Sequence, residues 1–177
     1  ARPCAGVIPH FPDAAKLPAE DAVALDRATR TAPGANFFIA VPRLSRIANF
    51  DDLDPLRQTP GVSVELVQPG APIPSGADMI LLPGTKSTIG DLRYLRDQGW
   101  DIDILAAARQ GKHVLGLCGG YQMLGRAVHD PQGIEGTAGS EKGLGLLDVE
   151  TTLEGDKTLS NVTRICADTG VALTGYE

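Results

Sequence analysis

The chain has 177 residues, 42% hydrophobic and 21% charged, which is enough for one substantial core, and its apolar runs are too short or too interrupted to span a bilayer. Sixteen basic residues against 22 acidic ones give a formal net charge of -6 with no long basic stripe, so nucleic acid is excluded as the principal ligand. Three widely separated cysteines, Cys4, Cys118 and Cys166, exclude a dense disulfide framework and a clustered thiolate metal site, and fit a reduced, cytoplasmic setting.

Residues 1–33 hold a short apolar element around 5–8, prolines at 9, 12, 18 and 33, and a helical stretch over 20–29. Proline fixes φ and removes an amide donor, so this region reads as connecting structure. Three runs dense in strand formers follow, at 36–41 (NFFIAV), 62–67 (VSVELV) and 77–82 (ADMILL), each bounded by glycine or proline. A short helix is predicted over 50–58. Ile89, Leu92 and Leu95 give helical spacing over 88–97, and a second helix over 101–110 closes at Gly111, so the pair reads as one broken crossover. Residues 113–117 (HVLGL) read as a buried strand feeding Cys118, after which Tyr121, Leu124, Ala127 and Val128 supply a helical contact face. An irregular surface excursion is expected over 130–145, with order returning at 146–149 and further strands around Val162, Ile165 and 171–176. This alternation of strand and connection favours an α/β core with a largely parallel sheet.

The stretch GLCGGYQMLG (116–125) sets a cysteine at the junction of a strand and a helix. Such a turn aims the side chain off the carboxyl edge of the sheet, glycines relieve the crowding, and the first helical amides favour a thiolate. A buried, inert cysteine beside a structural turn is the plain alternative. The loop LPGTKST (82–88) is expected on the same edge, where Gly84 permits close backbone approach and its amides face a developing oxyanion; as plain structure, Thr85, Ser87 or Thr88 caps a helix. This loop lacks the glycine cradle of a phosphate-binding G-x-x-x-x-G-K-[ST] motif. Asp78, Asp91, Asp97, Asp101 and Asp103 read as helix starts and solvated surface.

Taken with FIAVPRLSRIANFDDLDPL (38–56), LPGTKSTIGDL (82–92), GLGLLDVETT (143–152) and GYE (175–177), the cysteine stretch resembles the class-I-like glutamine amidotransferase domain of the cobyric acid synthase family. The resemblance implies a flavodoxin-like three-layer α/β/α sandwich with a strand-cysteine-helix nucleophile elbow. It implies Cys118 as nucleophile, the amides of Gly84 and Gly119 as oxyanion hole, and Gln122 and Tyr121 as glutamine-binding residues. It further implies that residues 1–33 are the tail of a preceding synthetase domain and a linker, and that 34–177 are an amidotransferase domain incomplete at its carboxyl end. No cofactor or metal is expected in this domain. ATP and magnesium are expected in the synthetase domain of the same polypeptide, which would use the released ammonia to amidate adenosylcobyrinic acid a,c-diamide, a corrinoid.

That chemistry needs a proton carrier, and in family members a downstream histidine fills the role. His10, His113 and His129 do not match it, so this piece is expected to turn over poorly in isolation. Two alternatives stand beside this reading: a catalytically silent glutamine-binding or regulatory module, and the amidotransferase domain of a cobyrinic acid a,c-diamide synthase.

Overall fold

A computed structural model describes residues 35–155 and 160–176; the expectations for residues 1–33, His10 and Cys4 lie outside them. The chain enters strand β1 (Phe37–Pro42), passes a two-residue strand β2 (Ile47–Ala48), and turns through a 3-10 segment (Phe50–Leu53) into helix α1 (Asp54–Gln58), whose Pro55 sits where a helix needs no amide donor. Strands β3 (Val62–Val67), β4 (Met79–Leu82) and the short β5 (Gly84–Thr85) follow. Two ten-residue helices, α2 (Thr88–Asp97) and α3 (Trp100–Arg109), are separated by Gly99 in the left-handed region, which breaks the crossover as the pattern predicts. Strand β6 (His113–Gly116) leads into helix α4 (Gly119–Leu124), and β7 (Ala127–Asp130), β8 (Gly139–Lys142), β9 (Glu150–Thr152), β10 (Asn161–Ile165) and β11 (Ala172–Tyr176) complete the order.

Strands β3, β1, β4 and β6 lie in that order in one parallel sheet, so the α/β expectation holds. Alternate residues face opposite layers. On one side Ala40, Ile80, Leu82 and Val67 join Leu92, Leu95, Trp100, Ile104 and Met123 of the covering helices. On the other, Ile39, Val41, Val64, Leu66 and Leu81 pack with Leu53 of the 3-10 segment. This is the three-layer arrangement. Trp100 is fully buried with its indole N–H satisfied by the Ala71 carbonyl at 2.8 Å, and Tyr94 meets it edge to face at 6.0 Å between centroids.

Several expectations need correction. The run 113–117 is not a buried strand: Val114 packs on the core, but His113 and Leu115 are exposed, Leu115 by 42%, because β6 is an edge of the sheet and its second face is uncovered among the described residues. The helical face predicted through Val128 stops at Leu124, where the amide of Gly125 bonds to Gln122 and Ala127 and Val128 pass into β7; Met123 and Leu124 carry the core contact, and Tyr121 is exposed. The excursion after Asp130 returns as β8, antiparallel to β7, while order after Leu146 comes at β9, parallel to β7. The strands around Val162 and 171–176 form as expected, as an antiparallel pair. Among the described residues no helix is long and apolar enough to cross a membrane.

Helix α4 reaches the sheet through bare backbone. A Cβ at Gly120 would stand 2.2 Å from the carbonyl oxygen of Leu82 and 2.7 Å from its carbon, so any side chain there must push helix from strand. Gly120→Ala is therefore expected to destabilise the fold by about 2–4 kcal/mol, read from the urea midpoint at unchanged m-value; a loss of only a few tenths would show that the approach is not tight.

Candidate functional site

The parallel register sets Leu82 opposite Gly116, so the chains leaving β4 and β6 emerge side by side at the carboxyl edge of the sheet. One further bond, Leu117 N–H to the Leu82 carbonyl at 2.9 Å, carries the pairing up to the turn. There Cys118 takes φ 50° and ψ -113°, a conformation that costs a residue with a side chain about 1–3 kcal/mol. The turn is held from both sides: Gly120 N–H bonds to the Leu117 carbonyl at 2.8 Å and Gln122 N–H to the Cys118 carbonyl at 3.2 Å. Cys118 is exposed, which overturns the plain reading of a buried thiol.

Gly84 and Gly119 flank it. A Cβ on Gly84 would lie 3.6 Å from the Cβ of Cys118 and 3.3 Å from the Ala48 carbonyl oxygen, so the Gly84 backbone runs directly beside the cysteine. Gly84 and Thr85 are not a free loop, however: they pair as β5 with β2, antiparallel. Gly119, the first residue of α4, packs against Thr85 and Thr88, and its amide meets no acceptor among the described residues.

Gln122 sits one turn into α4, with its Oε1 placed to accept from the Thr88 hydroxyl at 3.0 Å. That hydroxyl is also 3.1 Å from Glu135 Oε1, while the Thr88 amide donates to Glu135 Oε2 at 2.5 Å. One hydroxyl proton cannot serve two acceptors. With the Gln122 amide turned so that its NH2 faces Thr88, the chain closes: Gln122 donates to Thr88, and Thr88 donates to Glu135. Ser87 occupies the cap position of α2 without making a side-chain cap bond, so the cap comes from Glu135 instead. Tyr121 is 47% exposed, and no hydrogen bond ties it to this group.

Asp91 corrects the solvated-surface expectation. It is fully buried and accepts from the Ser45 amide at 2.9 Å, the Arg46 amide at 3.1 Å, and the hydroxyls of Ser45 and Thr85. A buried carboxylate persists only when its lone pairs are met, and here the donors come from the loops leaving β1 and β4. The same carboxylate makes the 84–88 segment unsuited to phosphate, in agreement with its incomplete motif. Asp78 and Asp103 also serve the frame, accepting the amides of Phe38 at 2.8 Å and Ile73 at 2.9 Å.

The histidines stand apart. His113 begins β6, about 16 Å of extended strand from Cys118, and His129 on β7 bonds Ser140 Oγ at 2.8 Å with Glu150 3.7 Å from its other nitrogen. Cys166 lies in the β10–β11 connection, where the Thr169 hydroxyl and the amides of Thr169 and Asp168 hold its thiol below the ordinary range against a smaller push from burial. A cavity of about 90 Å³ lined by Ile73, Ala77, Asp103 and Lys112 belongs to the opposite end of the strands.

Thr88, Asp91 and Glu135 were not marked by the sequence as parts of this site. Glu135 lies 47 residues from Thr88 in a glycine-rich stretch. A partial signal exists in Asp130, an aspartate ahead of a tight turn: it accepts the amides of Ile134 at 2.7 Å and Glu135 at 2.9 Å and so aims Glu135 back at α2. Burial pushes the Asp130 carboxyl up, but the amides of Glu135, Ile134 and Gly133 together outweigh it and hold it below its ordinary 3.8.

An exposed cysteine on a strained turn at the carboxyl edge of a covered parallel sheet, with bare backbone on both sides, places the chain among α/β proteins with a strand-cysteine-helix elbow. Residues 38–177 match the CobB/CobQ-like glutamine amidotransferase domain, and the chain belongs to that family. It is 59% identical over 172 residues to a cobyric acid synthase of Jannaschia sp. (strain CCS1), covering 97% of this chain and 35% of that protein. A cobyric acid synthase of Rhodobacter capsulatus is 60% identical with the same coverage, and one of Caulobacter sp. (strain K31) is 57% identical over 175 residues, 99% of this chain and 36% of its own length. The chain thus spans about a third of the length of these curated relatives.

Two outcomes are expected. If the turn at Cys118 is strained, Cys118→Gly will be more stable than Cys118→Ala by about 1 kcal/mol in urea unfolding; equal stability would mean the backbone relaxes at no cost. Because the folded-state value of Asp130 lies below its unfolded one, its contribution is complete above 3.8 and is lost only as pH falls through the lower, folded value. In an NMR titration the Ile134 and Glu135 amide resonances should therefore hold their positions down to about pH 4 and move below it; movement centred near pH 5 would contradict the assignment.

Proposed function

We propose that this chain is the glutaminase half of a cobyric acid synthase. The observation that carries the reading is the elbow itself: an exposed thiol held at positive φ, with the Gly84 backbone alongside and a Gly119 amide that has no partner among the described residues. The Cys118 thiolate attacks the side-chain amide carbon of glutamine, and negative charge collects on the former carbonyl oxygen. The Gly119 amide suits that position, since it acts where charge develops rather than on the ground state, and the Gly84 amide, turned toward Ala48 by the β2–β5 pairing, joins it in this reading by a local turn of its peptide. Collapse expels ammonia once the leaving nitrogen is protonated, leaving a glutamyl thioester on Cys118, and water hydrolyses it to glutamate and the free thiol. Gln122 holds the substrate near the elbow, and Tyr121, exposed on the same helix, borders the entry.

His113 lies at the far end of β6 and His129 is engaged with Ser140 and Glu150, so this reading assigns proton transfer to a group outside the described residues. The names of the relatives, cobyric acid synthases, support a use of the ammonia in making cobyric acid. In this reading the step is ATP-dependent amidation of adenosylcobyrinic acid a,c-diamide by a synthetase half of the same polypeptide, as the resemblance implies. ATP, magnesium and the corrinoid belong to that half, and no residue of this chain is assigned to them. Residues 1–33 are read as its tail and linker. The same names favour cobyric acid synthase over cobyrinic acid a,c-diamide synthase.

The test is ammonia release from glutamine by the whole protein, compared with Cys118→Ala. Loss of about a thousandfold or more is expected on removal of the thiol. Equal rates would sink the catalytic reading and leave the silent-module alternative.

A further inference from the structure

Glu135 has no part in the reaction as derived above, yet it stands at the far end of the hydrogen-bonded chain that starts at Gln122. Its carboxylate is half-buried and bonded on one side to the amide and hydroxyl of Thr88. Those bonds use about two of the four lone-pair directions that a carboxylate offers. Among the described residues no cation pairs with it; the neighbouring Arg93 is engaged with Glu141 at 2.7 Å. Meanwhile Thr88 Oγ1 lies only 3.3 Å from where a Cβ on Gly119 would be, so the carboxylate is two contacts from the elbow. A shallow cleft lined by Ser87, Gly90, Asp130, Glu135 and Thr137 opens beside it.

A glutamine whose amide carbon meets Cys118 carries its α-nitrogen about 5 Å away along an extended side chain. That nitrogen is a cation at neutral pH and needs an acceptor, preferably charged. Resting on the glutaminase reading, we infer that Glu135 is a specificity-determining residue, recognising the α-ammonium of the substrate and selecting an amino acid over a plain amide. Thr88 and the turn at Asp130 act as positioning residues: Thr88 fixes one edge of the carboxylate, and Asp130 sets the backbone from which Glu135 projects. The arrangement also explains why α2 takes its cap from a residue in a different part of the chain when Ser87 stands at the cap position itself.

The test uses the whole protein carrying Cys118→Ala, so that binding is read without turnover, and compares L-glutamine with glutaramate, the same molecule lacking the α-amino group, by calorimetry. Glutaramate is expected to bind about ten- to a hundredfold more weakly. Glu135→Gln, which keeps an oxygen acceptor for Thr88, should weaken glutamine to the level of glutaramate and leave glutaramate unchanged, while Glu135→Asp should retain discrimination. Equal binding of the two ligands by the parent overturns the inference without any variant at Glu135, and so does an equal loss for both ligands in Glu135→Gln, the mark of a merely structural cap. Failure of the catalytic reading shows separately, as ammonia release indifferent to Cys118.

Discussion

How closely α4 lies against the end of β4 governs everything at the carboxyl edge of this sheet. The contact is backbone on backbone, Gly120 over the Leu82 carbonyl, and it leaves the chain between Gly116 and Gly119 too little length to turn in a relaxed way. Cys118 absorbs the difference in its positive φ. Strain of this kind persists only where its surroundings over-determine it. Here the bonds of Leu117, Gly120 and Gln122 do so from both sides, and the thiol is left pointing into solvent rather than into the core.

Two carboxylates then organise the ground around the cysteine, and they do so differently. Asp91 is wholly buried and is met by hydroxyls and amides, so it fixes the loop after β1 to the loop after β4 and thereby the pairing of β2 with β5. Glu135 is half-buried and arrives from a distant excursion, with one edge bonded and the other open. The first is saturated and structural. The second retains capacity for a ligand, which is the distinction between a frame and a contact surface.

Much of this is legible in the amino-acid sequence. The strands over 36–41, 62–67 and 77–82 and the helix over 88–97 carry strong local periodicity, and the glycines around Cys118 announce a tight strand-to-helix turn. What local pattern could not carry was anything decided across the sheet. Leu115 is apolar in sequence yet exposed, since its strand is an edge; Asp91 falls in a helix first turn yet is buried, since donors from two loops converge on it. Ala127 and Val128 continue a helical spacing but are drawn into a ladder with Lys142 and Glu141. The link from Glu135 to Thr88 had no local signature, because a loop of mixed polar residues gives no periodicity to read. The elbow position of Cys118 and the close approach of Gly84 could be read from the strand-turn pattern, whereas the expected roles of Gly119, Gln122 and Tyr121 came from resemblance; the fold sets Gly84 and Gly119 beside Cys118 and Gln122 one turn further on, and leaves Tyr121 at the surface.

Among the described residues one face of β6 is uncovered, and this bears on how the molecule behaves in concentrated solution. Leu115 lies beside the fully buried Leu81 on the neighbouring strand, so the apolar layer on that side of the sheet continues to the rim without a lid among the described residues. Among the described residues the outer rim of β6 also carries main-chain donors and acceptors that take no fifth strand. Such a rim is a template for extended segments of other molecules; β6 is short, at four residues, but carries no charged side chain from Val114 to Gly116. Colloidal association along this rim, rather than loss of the core, is thus the first failure that its geometry favours in the isolated chain.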